Sequence, residues 1–316
     1  MKDQYQNTTL ELMVDDIIYD VVIIGCGING ILALEYFGKK GLNVLLLDRG
    51  NISLSFMENY MIDDLIFISR GDKFGIGKSE MSVEFLKKHF REKLESFIGC
   101  VNYNQEVRRV KKQEDFILVE TNVKQYKCKN VVLATGRGIP KKFNSFSNIT
   151  RGITLFEDKK ILLVGSGDSA ADFIFHNHSK NKIYWVNKYE NPCSKLHDSI
   201  KSKYEKIDKK NIQILNTDDV IDGGHGKIDF RGSIMHYDVC VCLIGFDLDN
   251  DFLNNSDIQT LTVNGMRYLK TNSNYETNIE NVFGIGEIVL SPMDNTNRAY
   301  IEHTPTILNR IMEKIK

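Results

Sequence analysis

Along this chain, short runs dominated by apolar residues alternate with longer stretches of helical spacing. Residues 19–25 form a first run, and residues 43–48 form a second in which Val44, Leu45, Leu46 and Leu47 are apolar. Such runs suit central parallel strands, which are covered on both faces. Between them, Ile31, Leu32, Leu34, Tyr36 and Phe37 supply packing residues for a helix over 29–40, which Gly41 ends. The result is a β-α-β unit finishing on an acid, Asp48. Residues 51–80 lack a regular period and carry Gly71, Gly75 and Gly77, which predicts an irregular excursion. Helical spacing returns over 82–97, with Ser82 as cap and Phe85, Leu86, Phe90, Leu94 and Phe97 behind it. Residues 103–110, 115–121 and 123–128 read as an antiparallel meander, and 130–135 as a separate buried strand.

A second β-α-β unit begins near Lys160, with its helix after Gly167 and its next strand over 183–186. Short strands follow over 212–215, within 226–237 and over 239–244. A polar, asparagine-rich stretch spans 249–281, before a last strand and turn over 281–287. A C-terminal helix is expected over 296–315, started late or kinked by Pro305. The fold class is α/β, with two Rossmann-like three-layer nucleotide-binding domains, the second inserted in the first. The expected boundaries give residues 1–153 and 277–316 to the first domain and 154–276 to the second.

Each unit opens on a glycine turn. In the first, Gly25 makes the sharp turn, Gly27 lets backbone approach a pyrophosphate and Gly30 lets helix pack on strand. The helix N-terminus, with Ile28 and Asn29 in its first positions, offers amides and a favourable dipole. Asp48 lies at a distance suited to ribose hydroxyls, with Arg49 beside it. Cys26, between the first two glycines, reads as a turn or packing residue. The second turn runs Gly165, Ser166, Gly167, Asp168, Ser169, Ala170. Ala170 is small enough to replace the third glycine, and Ser169 is a candidate for capping or for touching a phosphate. After the second strand stands Lys188, a modest lean toward NADPH over NADH, because the 2′-phosphate wants a cation.

Charge narrows the options. The chain has 316 residues and a net charge of -1, which recommends neither nucleic acid nor an anionic membrane. Apolar stretches are strand length, so no membrane insertion is expected. The first residues carry Asp15 and Asp16 where a leader wants lysine, and a cytoplasmic protein is expected. Six cysteines include no C-x-x-C pair, and seven histidines make no metal pattern, so no metal is expected. Cys240 and Cys242 alternate along an apolar strand and read as small buried hydrophobes. Cys193, after Pro192 in a polar loop, is a weak candidate for reactivity.

Taken together, Gly25 to Gly30, Asp48, Ala134-Thr135-Gly136, Gly165 to Ala170, Ile244-Gly245-Phe246 and Gly284-Ile285-Gly286-Glu287 resemble the low-molecular-weight thioredoxin reductase-like FAD-dependent pyridine nucleotide oxidoreductases. The tracts Phe67-Ile68-Ser69, Phe74-Gly75-Ile76-Gly77 and Ala299 to His303 resemble the bacillithiol disulfide reductase-like branch. The resemblance implies FAD on the first domain, near Ala134, Thr135, Gly136, Gly286 and Glu287, and NADPH on the second. It also implies a homodimer. Two departures stand out. The dithiol of thioredoxin reductases is missing, and Asn29 occupies the place where the bacillithiol branch carries a cysteine.

The expected activity is hydride transfer from NAD(P)H to flavin, then onward to a small disulfide, a quinone or a small redox protein. Glu302 and His303 are weak candidates for orienting or protonating that acceptor. Two alternatives stand beside this reading. One is a flavin-dependent monooxygenase or oxidase, and the other is an FAD-bound sensor or assembly protein with an inactive nicotinamide domain.

Overall fold

The computed structural model describes residues 14–55, 57, 65–67, 80–137, 139–140, 154–194, 196–293, 295, 299 and 301–315. Most of the expected excursion over 51–80, including Gly71, Gly75 and Gly77, lies outside the described residues. So do residues 296–298 and 300 of the expected C-terminal helix.

The chain begins with β1 (Val14–Ile24), α1 (Ile28–Lys39) and β2 (Val44–Leu47). β1 and β2 pair in parallel with Ile24 opposite Leu47, as a β-α-β unit requires. Ile31, Leu32, Leu34 and Phe37 of α1 are buried. Tyr36 instead turns outward, and its hydroxyl donates to Asn309 Oδ1 at 2.6 Å. Gly41, at φ 80°, lets the chain leave the helix.

β3 (Leu65–Phe67) pairs antiparallel with β4 (Glu80–Ser82). Ser82 then caps α2 (Val83–Glu95), its side chain accepting from the Phe85 amide. Val83, Leu86, Phe90 and Leu94 form the buried stripe of α2. Phe85, expected in that stripe, is 47% exposed because it lies on the opposite face.

β5 (Val101–Asn102), β6 (Val107–Lys112), β7 (Ile117–Thr121) and β8 (Gln125–Leu133) complete this half. The expected meander strand 123–128 and the expected buried strand 130–135 are one continuous strand, β8. Its first half pairs antiparallel with β7, while its whole length pairs parallel with β1. Polar residues alternate where one face is open, and apolar residues run together where both faces are covered. That change of partner made one strand read as two.

The inserted segment starts at β9 (Ile139–Pro140) and continues through β10 (Lys160–Val164), α3 (Asp168–Asn177), β11 (Lys182–Asn187), α4 (Asp198–Glu205) and β12 (Ile212–Asn216). An antiparallel meander follows, made of β13 (Val220–Gly224), β14 (Lys227–Phe230) and β15 (Ser233–His236). β16 (Val239–Cys242) returns to the parallel sheet, whose order is β12-β11-β10-β16. β17 (Phe246–Asp247) then pairs with β9.

One face of this sheet packs Ile161, Leu163, Ile183 and Trp185 against Phe173, Ile174 and Tyr204 of α3 and α4. The other face packs Leu162, Val164, Tyr184 and Val186 against Val220 and Ile228 of the meander. The unit has three layers, with a β-meander in place of one helical layer. Cys240 and Cys242 lie in the second cluster with their sulfurs 3.7 Å apart, buried as expected.

The last segment holds α5 (Asn250–Asn255), β18 (Thr260–Val263), β19 (Met266–Leu269), β20 (Val282–Gly284) and α6 (Thr304–Ile315). β20 pairs in parallel with the second half of β8, within the larger sheet ordered β5-β2-β1-β8-β7-β6. α6 starts at Thr304 with Pro305 in its first turn, as the proline predicts.

Contacts divide the chain into two units, cut at 137/138 and 247/248 rather than at 153/154 and 276/277. Residues 248–276 belong with the first unit because α5 docks on β6. There Ser256 Oγ accepts from the buried Val110 amide at 2.9 Å. Among the described residues, no helix is long and apolar enough to cross a membrane.

Candidate nucleotide-binding turns

The first turn is built by close backbone approach. Gly25 sits at φ 109°, and a Cβ there would lie 2.5 Å from the Ala134 carbonyl oxygen. A Cβ on Gly30 would lie 1.8 Å from the Gly25 carbonyl oxygen. Both positions therefore exclude any side chain. Gly27 caps α1 in an extended conformation, without a side-chain acceptor. The first-turn amides of Ile28, Asn29 and Gly30 consequently have no acceptor within the helix.

Asp48, at the end of β2, holds this turn. Its Oδ2 accepts from the Cys26 amide at 2.5 Å, and its Oδ1 accepts from the Gly50 amide at 2.6 Å. Each carboxylate oxygen keeps further lone-pair capacity for a ligand hydroxyl. Arg49 faces Asp249, with 3.9 Å between charged atoms, and both side chains are exposed.

The Cys26 thiol is buried, and burial pushes it up to about 12. The neighbouring Asp48 charge adds to the rise, and a hydrogen bond with Tyr103 partly offsets it. It is a thiol, not a thiolate, at neutral pH, which supports a packing role. Tyr103 carries no motif, and only the fold places it beside the turn.

Ala134, Thr135 and Gly136 follow β8. Ala134 donates its amide to Ile24 at 2.8 Å and turns its carbonyl onto Gly25. Gly136, at φ 61°, faces open space. Arg137, which sequence reasoning passed over, lies under Tyr268 with 4.8 Å from guanidinium to ring. It also donates to the Arg267 carbonyl at 2.5 Å. Its place directly after Gly136 was the available signal.

Gly286 comes to the same turn from the far end of the chain. It has φ 76°, and a Cβ there would lie 2.5 Å from Asn29 Nδ2. Asn29 Oδ1 in turn accepts from Thr304 Oγ at 2.5 Å. Thr304 is fully buried at the start of α6 and was not anticipated. Glu287 is half-buried beside Gly286. Glu302 and His303 occupy the 3-10 turn just before Thr304, with 3.7 Å between His303 Nε2 and Glu302 Oε1. The structure thus gathers Asn29, Gly286 and the Glu302–Thr304 segment in one place.

The second turn repeats the plan with different residues. Gly165 has φ 155°, and a Cβ there would lie 2.5 Å from the Leu243 carbonyl oxygen. Ala170 fits in the third glycine's place, 3.3 Å from that same Cβ position. Gly167 caps α3 and faces open space. The Trp185 indole donates to the Gly165 carbonyl at 2.6 Å.

Ser166 Oγ accepts from the Lys188 amide at 2.8 Å, and Asp168 Oδ1 accepts from the His197 amide at 2.8 Å. Ser169 makes no cap, because the cap position belongs to Gly167, and its side chain is exposed. The Lys188 side chain is exposed just beyond β11. Asn187, next to it, is fully buried.

Cys193 lies in the second unit, packed partly against the α3–α4 cluster, and burial raises its thiol. Cys128 is buried in β8 and pushed up to about 12 by burial. All six cysteines are free. Among the described residues, no group of three or more potential ligands is placed to hold a metal ion.

Glycines that no side chain can replace, open first-turn amides and an acid closing the turn fit a dinucleotide pyrophosphate at the first site. The second site fits a like ligand, less tightly enclosed.

A family model described as pyridine nucleotide-disulphide oxidoreductase matches residues 22–286, a span that holds both turns. The chain is 25% identical over 307 residues to a ferredoxin–NADP reductase of Ligilactobacillus salivarius, covering 89% of this chain and 86% of that protein. Its fold is similar to that of a bacillithiol disulfide reductase from Bacillus cereus, with TM-score 0.79 and 22% identity over 95% of this chain and 99% of that one. The Staphylococcus aureus counterpart gives TM-score 0.78 and 21% identity, covering 94% and 98% of the two chains.

Proposed function

The chain belongs to the pyridine nucleotide-disulphide oxidoreductase family, and from that premise we propose an FAD-dependent reductase that takes its electrons from NADPH and gives them to a small redox protein. Bound flavin supplies hydride acceptance and electron release. The chain's own residues hold it. Amides of Ile28, Asn29 and Gly30 would hold the pyrophosphate, Asp48 would take ribose hydroxyls, and the Gly286–Glu287 turn would close the cradle. Gly165, Gly167 and the α3 N-terminus would hold the nicotinamide nucleotide, and the exposed Lys188 ammonium would serve its 2′-phosphate.

The observation that carries the choice of acceptor is the cysteine census. No C-x-x-C pair exists, and the thiol nearest the first turn, Cys26, is buried and protonated. A relay through a C-x-x-C dithiol is therefore closed, and a bound flavin would pass its electrons to the acceptor without one. An iron–sulfur protein of the ferredoxin class suits such an outlet. Curated relatives named ferredoxin–NADP reductase support this reading. A homodimer in solution is part of the proposal, with light scattering as its check.

FAD-loaded protein, mixed anaerobically with NADPH or NADH, tests the donor. Fast bleaching of flavin absorbance is expected with NADPH. No bleaching with either donor favours the flavin-bound sensor. Turnover with a ferredoxin should exceed turnover with a low-molecular-weight disulfide, and the reverse order overturns the acceptor.

A further inference from the structure

Three segments far apart in the chain meet at one side chain. Asn29 stands in the first turn of α1, within the glycine turn. Its amide nitrogen occupies the space that a side chain on Gly286 would take. Its amide oxygen accepts the hydroxyl proton of Thr304, 275 residues away. Thr304 is fully buried, so its hydroxyl depends on a partner inside the protein. A side-chain amide is well suited to this place. Its oxygen is a strong acceptor for the buried hydroxyl, whereas a thiol in its place is a weak one.

We propose that Asn29 is the positioning residue of the flavin cradle: its amide oxygen fastens the start of α6 to the pyrophosphate turn, and its amide nitrogen packs against the side-chain-free face of Gly286. This rests on the first unit's being the FAD site. The latch keeps the Gly286–Glu287 turn and the Glu302–His303 segment at the cofactor turn, and with them the polar surroundings of the flavin. Loosening it changes how long FAD stays and at what potential it is reduced. A merely structural clamp changes only melting temperature.

The test uses the full-length FAD-loaded protein. Thr304→Val keeps the shape of the side chain and removes the donated proton. FAD release into excess apoflavin-binding scavenger should speed about tenfold, the effect of losing one buried hydrogen bond. The flavin midpoint potential, read by dye equilibration, should move as well. Thr304→Ser keeps the hydroxyl and should restore both. Asn29→Ser, which shortens the latch, should match Thr304→Val and serves if that variant folds poorly by circular dichroism.

Thr304→Val or Asn29→Ser with unmodified FAD release and potential overturns the latch. An unmodified protein that retains no FAD overturns the flavin reading itself, and the latch with it, which separates the two failures.

Discussion

The two glycine turns share a plan but differ in how they are sealed. In the first, Gly30 meets the Gly25 carbonyl so closely that no Cβ fits, whereas Ala170 fits in the matching place of the second. An acid at the end of β2 grips the first turn by its Cys26 and Gly50 amides. The corresponding place after β11 has no acid. There the Lys188 amide reaches back to Ser166, and the lysine side chain stays in solvent. Asn29 ties the first turn to Thr304 by a hydrogen bond and packs against Gly286. The second turn is held by bonds within its own unit, from the Trp185 indole to Gly165, from the Lys188 amide to Ser166 and from the His197 amide to Asp168. A ligand kept through many turnovers suits the first arrangement, and a ligand exchanged at each turnover suits the second. The lesson is that a shared sequence signature sets the turn, while the groups packed around it differ from one turn to the other.

Gly30→Ala should break this contrast most severely. The added methyl meets backbone rather than a yielding side chain, so a loss of about 3 kcal/mol is expected, with loss of bound FAD. Urea denaturation and flavin absorbance measure both, and a folded, FAD-retaining variant contradicts the close packing.

Lys188→Ala acts only on the second site. The KM for NADPH should rise about tenfold, the loss of roughly one charge-assisted contact, with that for NADH little changed. An equal rise for both nucleotides removes Lys188 from the 2′-phosphate.

Ala170→Gly should do least. It costs about 1 kcal/mol through helix propensity and leaves the turn intact. A thermal melt measures this, and a loss well above about 1 kcal/mol would show that the Ala170 methyl packs into the turn rather than merely fitting there.

Some of this was legible because its causes are local. The apolar runs marked β1, β2, β10, β11 and β16, since a strand covered on both faces needs apolar residues on both. Ser82 announced α2, and Pro305 announced the late start of α6. Other elements were misread where the cause was a distant partner. Phe85 looked like core by spacing but lies on the open face of α2. β8 looked like two strands because it changes neighbours partway along. Contacts group residues 248–276 with the first unit because α5 docks on β6, a packing that nothing local announces.

By itself, then, the sequence determined the two turns, their strands and helices, and the absence of a C-x-x-C pair, because backbone conformation and short-range periodicity depend on neighbouring residues. Only the tertiary structure decided that Asp48 grips the Cys26 amide, that the Cys26 thiol is buried beside Tyr103, and that Asn29 meets Thr304. Each of those joins groups separated by tens to hundreds of residues, and packing alone brings such groups within hydrogen-bonding distance.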